Sequence, residues 1–369
     1  MSTQAATENR VQAGTLAQMY DVALLDLDGV VYVGEAPVEH AAQALREARA
    51  RDMRLAFVTN NASRTPAIVA AHLTRIGIHA SEQEVVTSAQ AAARLLAEQL
   101  PRDARVLVVG GAGLHEAVRE RGLAPVTSLE EDTQAVVQGF SPDVDWRALA
   151  EGAYAVARGL PWVASNIDRT IPTARGVAPG NGALVDAVRA ATGRDPVVAG
   201  KPEPPMHREA MVRTGAHRPL VVGDRLDTDI DGARRAGSDS LLVLTGVTSP
   251  EELVMAPPQL RPTYVGADLR ALHQQAPQLG VEPGRDQCGG WTATIEAGTM
   301  HLHRSAVDGT DTDEVPEFGT SGVDLDALRA VCGAAWAYRR EIDAESIRRV
   351  LRMAGDGSGN GGGDRRGHL

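Results

Sequence analysis

The sequence predicts an α/β protein built on a doubly wound parallel sheet. Short apolar runs that end in acidic residues and glycine, helical patterns between these runs, and a repeat of this alternation later in the chain all favour that class. The run DVALLDL over 21–27 is followed by a helical spacing of alanine and leucine over 40–50 and by a second apolar run over 54–58. Strands that are buried on both faces have this composition, so the segment predicts a βαβ unit.

The same alternation returns in the second half of the chain. Apolar runs over 220–222 and 241–244 flank the segment GARRAG, which indicates two strands separated by a helix. Between the two halves, the stretch 81–197 has strand patterns of its own at 106–109, 135–138 and 162–164. We therefore expect a core formed by 18–80 and 198–272, with the α/β stretch 81–197 inserted into it.

The carboxyl-terminal part has a different pattern. Residues 274–287 are rich in Gln, Pro and Gly and predict a linker. Beyond them, the segments 291–295 and 300–303 predict a hairpin and 323–342 an amphipathic helix, which together give a small α+β module over 284–353. The ends of the chain have too few apolar residues to offset the entropy of ordering, so we expect 1–17 to be flexible and 354–369 to be disordered.

Composition excludes several classes of partner. The chain has 48 acidic and 37 basic residues, and its net charge of -11 argues against a nucleic-acid-binding surface. It has no apolar run of about 18 residues, which a membrane-spanning helix needs. The amino terminus lacks the basic start and apolar run of a secretory signal, so we expect a cytoplasmic protein with Cys288 and Cys332 reduced. A homo-oligomer is left open.

Polar motifs follow the predicted core strands. In a parallel sheet the carboxyl ends of the strands meet at one edge, where ligands bind, so these motifs should converge. A hydroxyl and turn-forming amides can hold phosphate oxygens, and a lysine adds one ammonium. An isolated Asp-x-Asp-Gly is most often a solvated turn, but four motifs in this order favour a site. The motifs are Asp26-Leu27-Asp28-Gly29, Thr59-Asn60-Asn61, Gly200-Lys201-Pro202, and Gly223-Asp224 with Asp229 five residues later.

The order D-x-D, T-N, K and GD-x-x-x-x-D resembles the four motifs of the haloacid dehalogenase (HAD) superfamily of hydrolases. The long gap between Thr59 and Lys201 resembles subclass IIA, the NagD-like or p-nitrophenylphosphatase-like group, in which a type C2 α/β cap is inserted into the core. Within this subclass, glycerol 3-phosphate phosphatases with a carboxyl-terminal extension are the most similar. The resemblance covers about residues 20–272.

The resemblance implies a role for each motif. Asp26 would be the nucleophile that forms an aspartyl-phosphate, and Asp28 would protonate the leaving alcohol and later activate water. Magnesium would be bound by the Asp26 side chain, the Asp28 backbone carbonyl and Asp224. The phosphate would be held by Thr59, Asn60 and Lys201, with Gly29, Asn61 and Asp229 in supporting positions.

The resemblance also implies a substrate class and the position of a specificity loop. Facing the active site from the cap would be Asn166, Asp168, Pro179, Gly180, Asn181 and Gly182. The expected activity is magnesium-dependent hydrolysis of a small phosphate monoester, first of all glycerol 3-phosphate. Phosphoglycolate, nucleoside monophosphates and pyridoxal phosphate are alternatives, since the core motifs recognise phosphate and not the leaving group.

The carboxyl-terminal module suggests a function of another class. Related phosphatases carry a tail that resembles part of an acetyltransferase fold, and 352–357 matches a short acetyl-CoA signature by letter. We interpret that match as a coincidence, because a glycine-rich tail follows it where a pyrophosphate-binding helix would be needed. The alternative hypothesis is that the module binds a small ligand, an acyl-CoA or a protein and regulates the phosphatase.

Overall fold

The computed structural model describes residues 14–173, 175–305 and 322–355. In chain order its strands are β1 (Val22–Leu25), β2 (Tyr32–Val33), β3 (Ala36–Pro37), β4 (Arg54–Thr59), β5 (Val85–Thr87), β6 (Arg105–Val109), β7 (Ala124–Val126), β8 (Thr133–Gln138), β9 (Trp162–Ala164), β10 (Thr170–Thr173), β11 (Gly176–Pro179), β12 (Val197–Val198), β13 (Pro219–Gly223), β14 (Asp239–Val243), β15 (Tyr264–Gly266), β16 (Gln287–Cys288), β17 (Trp291–Glu296) and β18 (Thr299–Arg304).

The helices are α1 (Leu16–Met19), α2 (Ala41–Ala50), α3 (Pro66–Arg75), α4 (Ser88–Ala97), α5 (Ala112–Glu120), α6 (Trp146–Ala157), α7 (Asn181–Thr192), α8 (Pro204–Thr214), α9 (Asp231–Arg235), α10 (Pro250–Val254), α11 (Ala276–Leu279), α12 (Leu325–Ala337) and α13 (Ala344–Gly355). Short helical turns cover Glu82–Glu84, Leu226–Ile230, Pro258–Leu260 and Leu269–His273.

The core is a six-stranded parallel sheet in the order β15-β14-β13-β1-β4-β5. All four residues of its central strand β1 are buried, as expected for a strand that is covered on both faces. The doubly wound α/β class predicted from the sequence is confirmed. The carboxyl ends of β1, β4 and β13 lie side by side, so the residues that follow these strands meet at one edge of the sheet.

The inserted cap has a parallel sheet of its own in the order β12-β9-β8-β6-β7. Both predicted domain boundaries need correction. β5, which the boundary at residue 81 assigns to the cap, is the edge strand of the core sheet and pairs with β4. β12 extends through residue 198 and pairs with β9 of the cap. Backbone pairing across the junction decides where each domain ends, and apolar patterns along the sequence do not contain that information.

The amino-terminal boundary was also misplaced. Leu16 and Ala17 fall within the terminus that was predicted to be flexible, yet both are buried in the apolar cluster beneath β1. The backbone amide of Leu16 donates to the carbonyl of Gln274, which ties α1 to the end of the core. Residues 1–13 lie outside the described residues. The predicted linker likewise contains α11, whose Leu279 is fully buried.

The carboxyl-terminal module packs α12 and α13 with the three-stranded antiparallel sheet β16-β17-β18. The predicted hairpin is confirmed, but the helix predicted over 323–342 was too long. It ends at Ala337, because the backbone of Tyr338 is extended. A new helix, α13, begins at Ala344, where the carboxylate of Asp343 accepts the amides of Glu345 and Ser346. The tail predicted to be disordered begins too early, since Ala354 is buried in α13. Residues 356–369 lie outside the described residues.

Two further sequence expectations concern the cysteines and the membrane. Both cysteines are free thiols, and the Cys288 thiol donates to the Asp326 carboxylate while Cys332 is buried. Among the helices of the described residues, none combines the length and the apolar character that crossing a bilayer requires.

Candidate active site

Two carboxylates stand at adjacent strand ends of the core sheet. Asp26 follows β1 and Asp224 follows β13, and the backbone amide of Asp26 donates to the carbonyl of Val222. The π-helical turn Leu226–Ile230 brings Asp229, which is 1 % exposed, to the same place. Parallel pairing of β1 with β13 therefore places acidic groups that are about 200 residues apart in sequence at one point.

Lys201 lies between two of these carboxylates. Its Nζ is 2.5 Å from Oδ1 of Asp26 and 2.6 Å from Oδ1 of Asp229, and the side chain is only 4 % exposed. Burial alone would lower the pKa of Lys201, but the carboxylates of Asp229 and Asp26 outweigh burial and raise it, so the ammonium keeps its charge. The pKa of Asp26 is raised. Burial raises it most, the ammonium of Lys201 lowers it, and the carboxylates of Asp229 and Asp224 raise it further.

Asp224 is fixed by a loop that follows β14. The amide of Val247 donates to its Oδ2 at 2.7 Å, and the Thr248 hydroxyl donates to its backbone carbonyl at 2.6 Å. Burial and the neighbouring Asp229 raise the pKa of Asp224 to about 6, against the hydrogen bond from Val247. Two glycines make room for this carboxylate. A Cβ on Gly29, where φ is +82°, would lie 2.6 Å from Oδ2, and one on Gly246 would lie closer still.

The three carboxylates suit a hard cation. One oxygen from each of Asp26, Asp224 and Asp229 lies within 4.8 Å of the others. Oδ1 of Asp224 is buried and has no hydrogen-bond partner among the described residues, which is costly unless something else satisfies it. The cluster adds Asp229 to the side chains of Asp26 and Asp224, which are both in the predicted ligand set. The part that the resemblance assigned to Asp28, its backbone carbonyl, remains a prediction.

Asp28 follows Asp26 by two residues, just beyond the end of β1. Its side chain is exposed, yet the surrounding protein removes enough solvation to raise its pKa, while Lys201, Arg64 and His72 lower it. His72 is buried and packs edge-on against Tyr32 with ring centroids 5.1 Å apart. A raised pKa favours the protonated form of a carboxyl group, which is the form that a general acid needs.

The Thr59-Asn60-Asn61 motif ends β4 and forms a tight turn. The buried Thr59 hydroxyl accepts the amide of Asn61 at 3.1 Å, and Oδ1 of Asn61 accepts the amide and hydroxyl of Ser63. Asn61 thus shapes the turn itself. The Asn60 side chain, in contrast, reaches Lys201, because its Oδ1 accepts the Lys201 amide at 2.8 Å and its Nδ2 donates to the Lys201 carbonyl at 3.2 Å.

The cap residues divide into two groups. Asp168 reaches the core, since it accepts Nδ2 of Asn60 at 3.2 Å, and Asn166 donates from its Nδ2 to the Asn60 carbonyl at 2.7 Å. The others build the loop that carries these two. Asn181 donates to the carbonyl of Asn166, and a Cβ on Gly180 or Gly182 would lie 2.3 Å from the backbone oxygens of Asp168 and Ile167 respectively. Pro179 is exposed at the end of β11.

Sequence reasoning missed the loop that fixes Asp224, namely Thr245, Gly246, Val247 and Thr248. Besides the contacts above, the Thr245 hydroxyl donates to the carbonyl of Gly29 at 2.5 Å. A signal was available, because this loop follows a predicted core strand and so opens on the same edge of the sheet as the four motifs. It has no acidic or basic residue to attract notice.

Comparisons with known proteins agree with this geometry. A family model described as haloacid dehalogenase-like hydrolase matches residues 23–124, and a second HAD-like hydrolase model matches 198–272. The chain is 47 % identical over 343 residues to the D-glycerol 3-phosphate phosphatase of Mycobacterium tuberculosis, covering 93 % of this chain and 92 % of that protein. The chain belongs to the haloacid dehalogenase-like hydrolase family.

Solved structures extend the comparison. The crystal structure of glycerol phosphate phosphatase Rv1692 from Mycobacterium tuberculosis in complex with magnesium has 45 % identity and a TM-score of 0.81, over 92 % of this chain and 99 % of that one. The p-nitrophenyl phosphatase of Archaeoglobus fulgidus has 30 % identity and a TM-score of 0.64, over 69 % of this chain and 98 % of that one. This HAD-like hydrolase therefore has NagD-like and p-nitrophenylphosphatase-like structural relatives, as its motif spacing predicted.

Proposed function

We propose that this HAD-like hydrolase is a phosphatase that hydrolyses a small phosphate monoester through an aspartyl-phosphate on Asp26. The observation that carries the proposal is the cluster of Asp26, Asp224 and Asp229, two of which, Asp26 and Asp229, bond to the ammonium of Lys201. A cluster of three carboxylates and one buried cation at the edge of a parallel sheet can bind a divalent metal ion and a phosphate together.

The donor set fits magnesium. Hard oxygen ligands from Asp26 and Asp224 would hold it, and the unpaired Oδ1 of Asp224 supports a ligand at that atom. The magnesium complex of the Mycobacterium tuberculosis relative supports the same ion. When bound, the ion neutralises charge on the phosphate and on the attacking carboxylate, which supplies several kcal/mol of transition-state stabilisation.

Attack by Asp26 on a phosphate dianion meets electrostatic repulsion. At 4 Å, each pair of like charges costs about 4 kcal/mol even with an effective dielectric constant near 20. Lys201 offsets part of this cost, because its ammonium is protonated, buried and already within hydrogen-bond distance of Asp26. The amide of Asn60 and the hydroxyl of Thr59 lie at the end of the neighbouring strand β4, where they would hold the phosphate oxygens in line with Asp26.

Asp28 would complete both half-reactions. In the first, its carboxyl group donates a proton to the oxygen of the departing alcohol. In the second, the resulting carboxylate takes a proton from the water that attacks the aspartyl-phosphate, which regenerates Asp26 and releases inorganic phosphate. The raised pKa of Asp28 and the exposure of its side chain support this double role.

Glycerol 3-phosphate is the first candidate substrate. The relative with the highest identity among those named above is a D-glycerol 3-phosphate phosphatase, and it matches this chain over nearly its whole length. Asp168 of the cap stands over Asn60 and Lys201, where its carboxylate can accept hydroxyl groups of a polyol. A nucleoside monophosphate is the second candidate, because the 5'-nucleotidase YutF of Bacillus subtilis is 40 % identical over 62 % of this chain and 89 % of its own length.

Steady-state phosphate release from a panel of monoesters tests the proposal. The panel consists of glycerol 3-phosphate, phosphoglycolate, a nucleoside monophosphate and pyridoxal phosphate, each assayed with magnesium and with EDTA. We expect the highest kcat/KM for glycerol 3-phosphate and no turnover with EDTA. Absence of phosphate release from every monoester, or release that does not need a divalent ion, would contradict the proposal. A cytoplasmic location stays a prediction.

A further inference from the structure

The side chain of Asn60 contacts both the cap and Lys201, the lysine that we propose binds the phosphate. Its side-chain oxygen accepts the amide of Lys201 at 2.8 Å, and its Nδ2 donates to the carbonyl of Lys201 at 3.2 Å. One carboxamide thus bonds to both the backbone amide and the backbone carbonyl of Lys201. The same Nδ2 also donates to the carboxylate of Asp168 in the cap at 3.2 Å.

The backbone carbonyl of Asn60 also accepts two hydrogen bonds. The carbonyl of Asn60 accepts Oγ of Ser88 at 2.6 Å and Nδ2 of Asn166 at 2.7 Å. Ser88 begins α4, which leads from the core into the cap, and Asn166 lies in the cap. Asn60 is therefore joined by direct hydrogen bonds both to the helix that leads into the cap and to the cap itself.

The packing around Asn60 leaves little freedom to substitute it or its neighbours. A Cβ on Gly200 would lie 2.6 Å from Oδ1 of Asn60 and 2.5 Å from the carbonyl of Ser165, so residue 200 must be glycine for the carboxamide to reach Lys201. A leucine at position 60 would lack donor and acceptor, and an aspartate would keep the acceptor but lose the donor. Only a carboxamide of this length makes all three side-chain contacts.

We propose that Asn60 is a positioning residue: its carboxamide sets the backbone of Lys201 so that Nζ stands between Asp26 and Asp229, and its bond to Asp168 makes this placement depend on the cap. The inference rests on the proposed phosphatase function and deepens it. It assigns to the Asn60 side chain a role separate from the phosphate contact of its backbone amide. A shift of a reacting group by about 1 Å costs on the order of 100-fold in rate, so the position of the lysine backbone matters.

A reciprocal exchange tests the bond between positions 60 and 168. Asn60→Asp keeps the acceptor for the Lys201 amide but places a carboxylate against Asp168, and we expect kcat to fall by about 100-fold, with a smaller change in KM. In Asn60→Asp with Asp168→Asn, the amide at 168 can donate to the carboxylate at 60, and the total charge equals that of the natural chain. We expect this double variant to recover kcat by at least about 10-fold, which corresponds to about 1.4 kcal/mol of coupling.

A matched control distinguishes the effect of the hydrogen bond between positions 60 and 168 from the effect of total charge. Asp186 is also a cap carboxylate, but it bonds to Arg169 and Arg189 on the cap surface. Asn60→Asp combined with Asp186→Asn has the same total charge as the reciprocal double variant, and we expect no recovery of kcat. Equal recovery in both double variants, or none in either, would overturn the inference.

A second cycle covers the case in which Asn60→Asp does not fold. In Asn60→Ala the partner of Asp168 is gone, so Asp168→Ala should reduce kcat less in that background than in the natural chain. Additive effects overturn the inference, as does an Asn60→Ala chain that fails to unfold cooperatively, since that outcome assigns Asn60 a purely structural role. If the natural chain releases no phosphate from any monoester, the proposed function itself fails. If it does release phosphate and the cycles are additive, only the role of Asn60 fails.

Discussion

Both the cap and the carboxyl-terminal module share an apolar cluster with the core, but the cap junction adds polar bonds that reach the candidate site. At the cap junction, Asn60 bonds to Asp168, and the fully buried Glu209 of α8 accepts Arg94, Arg121 and Arg213 from α4, the end of α5 and α8. At the module junction a single apolar cluster is shared. It contains Leu242, Leu253, Val254 and Val265 of the core together with Leu325, Leu328, Val331 and Trp336 of the module.

This difference has consequences for function. Hydrogen bonds and ion pairs are directional, so the polar bonds of the cap junction fix the cap at a defined orientation next to Lys201. Apolar contact is non-directional and scales with the area removed from water, so the module junction contributes mainly stability. We therefore expect changes to the polar bonds of the cap junction and to the site to alter catalysis, and changes at the module junction to alter unfolding alone. The following variants test that division, in order of decreasing effect.

Asp26→Asn should have the largest effect. The amide cannot form the aspartyl-phosphate, and we expect kcat for glycerol 3-phosphate to fall by at least about 10⁴-fold. The fold should persist, because Asp26 follows a strand whose four residues are buried regardless of this side chain. Phosphate release and circular dichroism measured on the same preparation check both halves of the expectation. Substantial turnover by this variant would refute the assignment of the nucleophile.

Glu209→Gln should cost about 3–5 kcal/mol in the free energy of unfolding. The variant leaves three arginines around a neutral group that was a fully buried carboxylate, and breaking a buried ion pair in this way is strongly destabilising. Because Arg121 belongs to the cap, kcat/KM should fall as well. Urea unfolding gives the free energy. Glu98→Gln is the matched control, since Glu98 also pairs with Arg94 but is partly exposed, and it should cost less than about 1 kcal/mol.

How far these features could be predicted from the sequence depends on the range of the interactions. The parallel core, the cap and the motif residues Asp26, Lys201 and Asp224 follow from apolar periodicity and from motif order at strand ends. The contacts of Glu209 with Arg94 and Arg121 and the two-way bond between Asn60 and Lys201 do not, because each joins residues that are far apart in sequence and that only the tertiary fold brings together. Spacing along the chain contains no record of those contacts.

The apolar contacts of the module illustrate the same limit on prediction from sequence. Its hairpin was predicted because alternation over β17 and β18 is local. That Leu328 would share a cluster with Leu242, or that the guanidinium of Arg329 would donate to the carbonyl of Val265, could not be read from composition. The sequence pattern identified the faces that are apolar and left open what covers them.

Leu328→Ala should cost about 2–4 kcal/mol in the free energy of unfolding while leaving kcat/KM unchanged. Leu328 is fully buried in the shared cluster, and the substitution creates a cavity there. Met353→Ala, at an exposed position of α13, is the control and should have little effect. Removal of all residues after Leu272 is a poorer test, because it would expose the apolar core residues of the cluster to water.

The hypothesis that the module regulates the phosphatase remains a proposal, and Leu328→Ala also bears on it. A regulatory module predicts that loosening this junction changes kcat/KM at temperatures well below unfolding. The apolar junction alone predicts no change. The acetyl-CoA signature gains no support from the described part of the chain, since Arg352 lies in the last turns of α13 and pairs with Glu345.

His207 provides the test with the smallest effect at neutral pH and the strongest dependence on pH, because it is a buried imidazole close enough to Lys201 to feel its charge. Neither ring nitrogen has a hydrogen-bond partner among the described residues, and burial followed by the charge of Lys201 lowers its pKa to about 3. At pH 7 the imidazole is neutral in both the folded and unfolded states, so His207→Met should gain only about 1–2 kcal/mol from removing unsatisfied polar atoms. As the pH falls below about 6.5, the unfolded imidazole binds a proton that the folded one cannot, and the natural chain loses stability by about 1.4 kcal/mol per pH unit until the pH approaches the folded pKa.

The gap in the free energy of unfolding between His207→Met and the natural chain should therefore widen between pH 6.5 and 4. Urea unfolding at several pH values measures this gap, and His217→Met, at an exposed position, controls for the loss of one imidazole. A gap that stays constant over this range would mean that His207 is protonated or hydrogen-bonded in the folded protein. In that case the polar contacts near the cap junction would extend into the core interior around His207. The distinction drawn here between the cap junction and the module junction would then have to be revised.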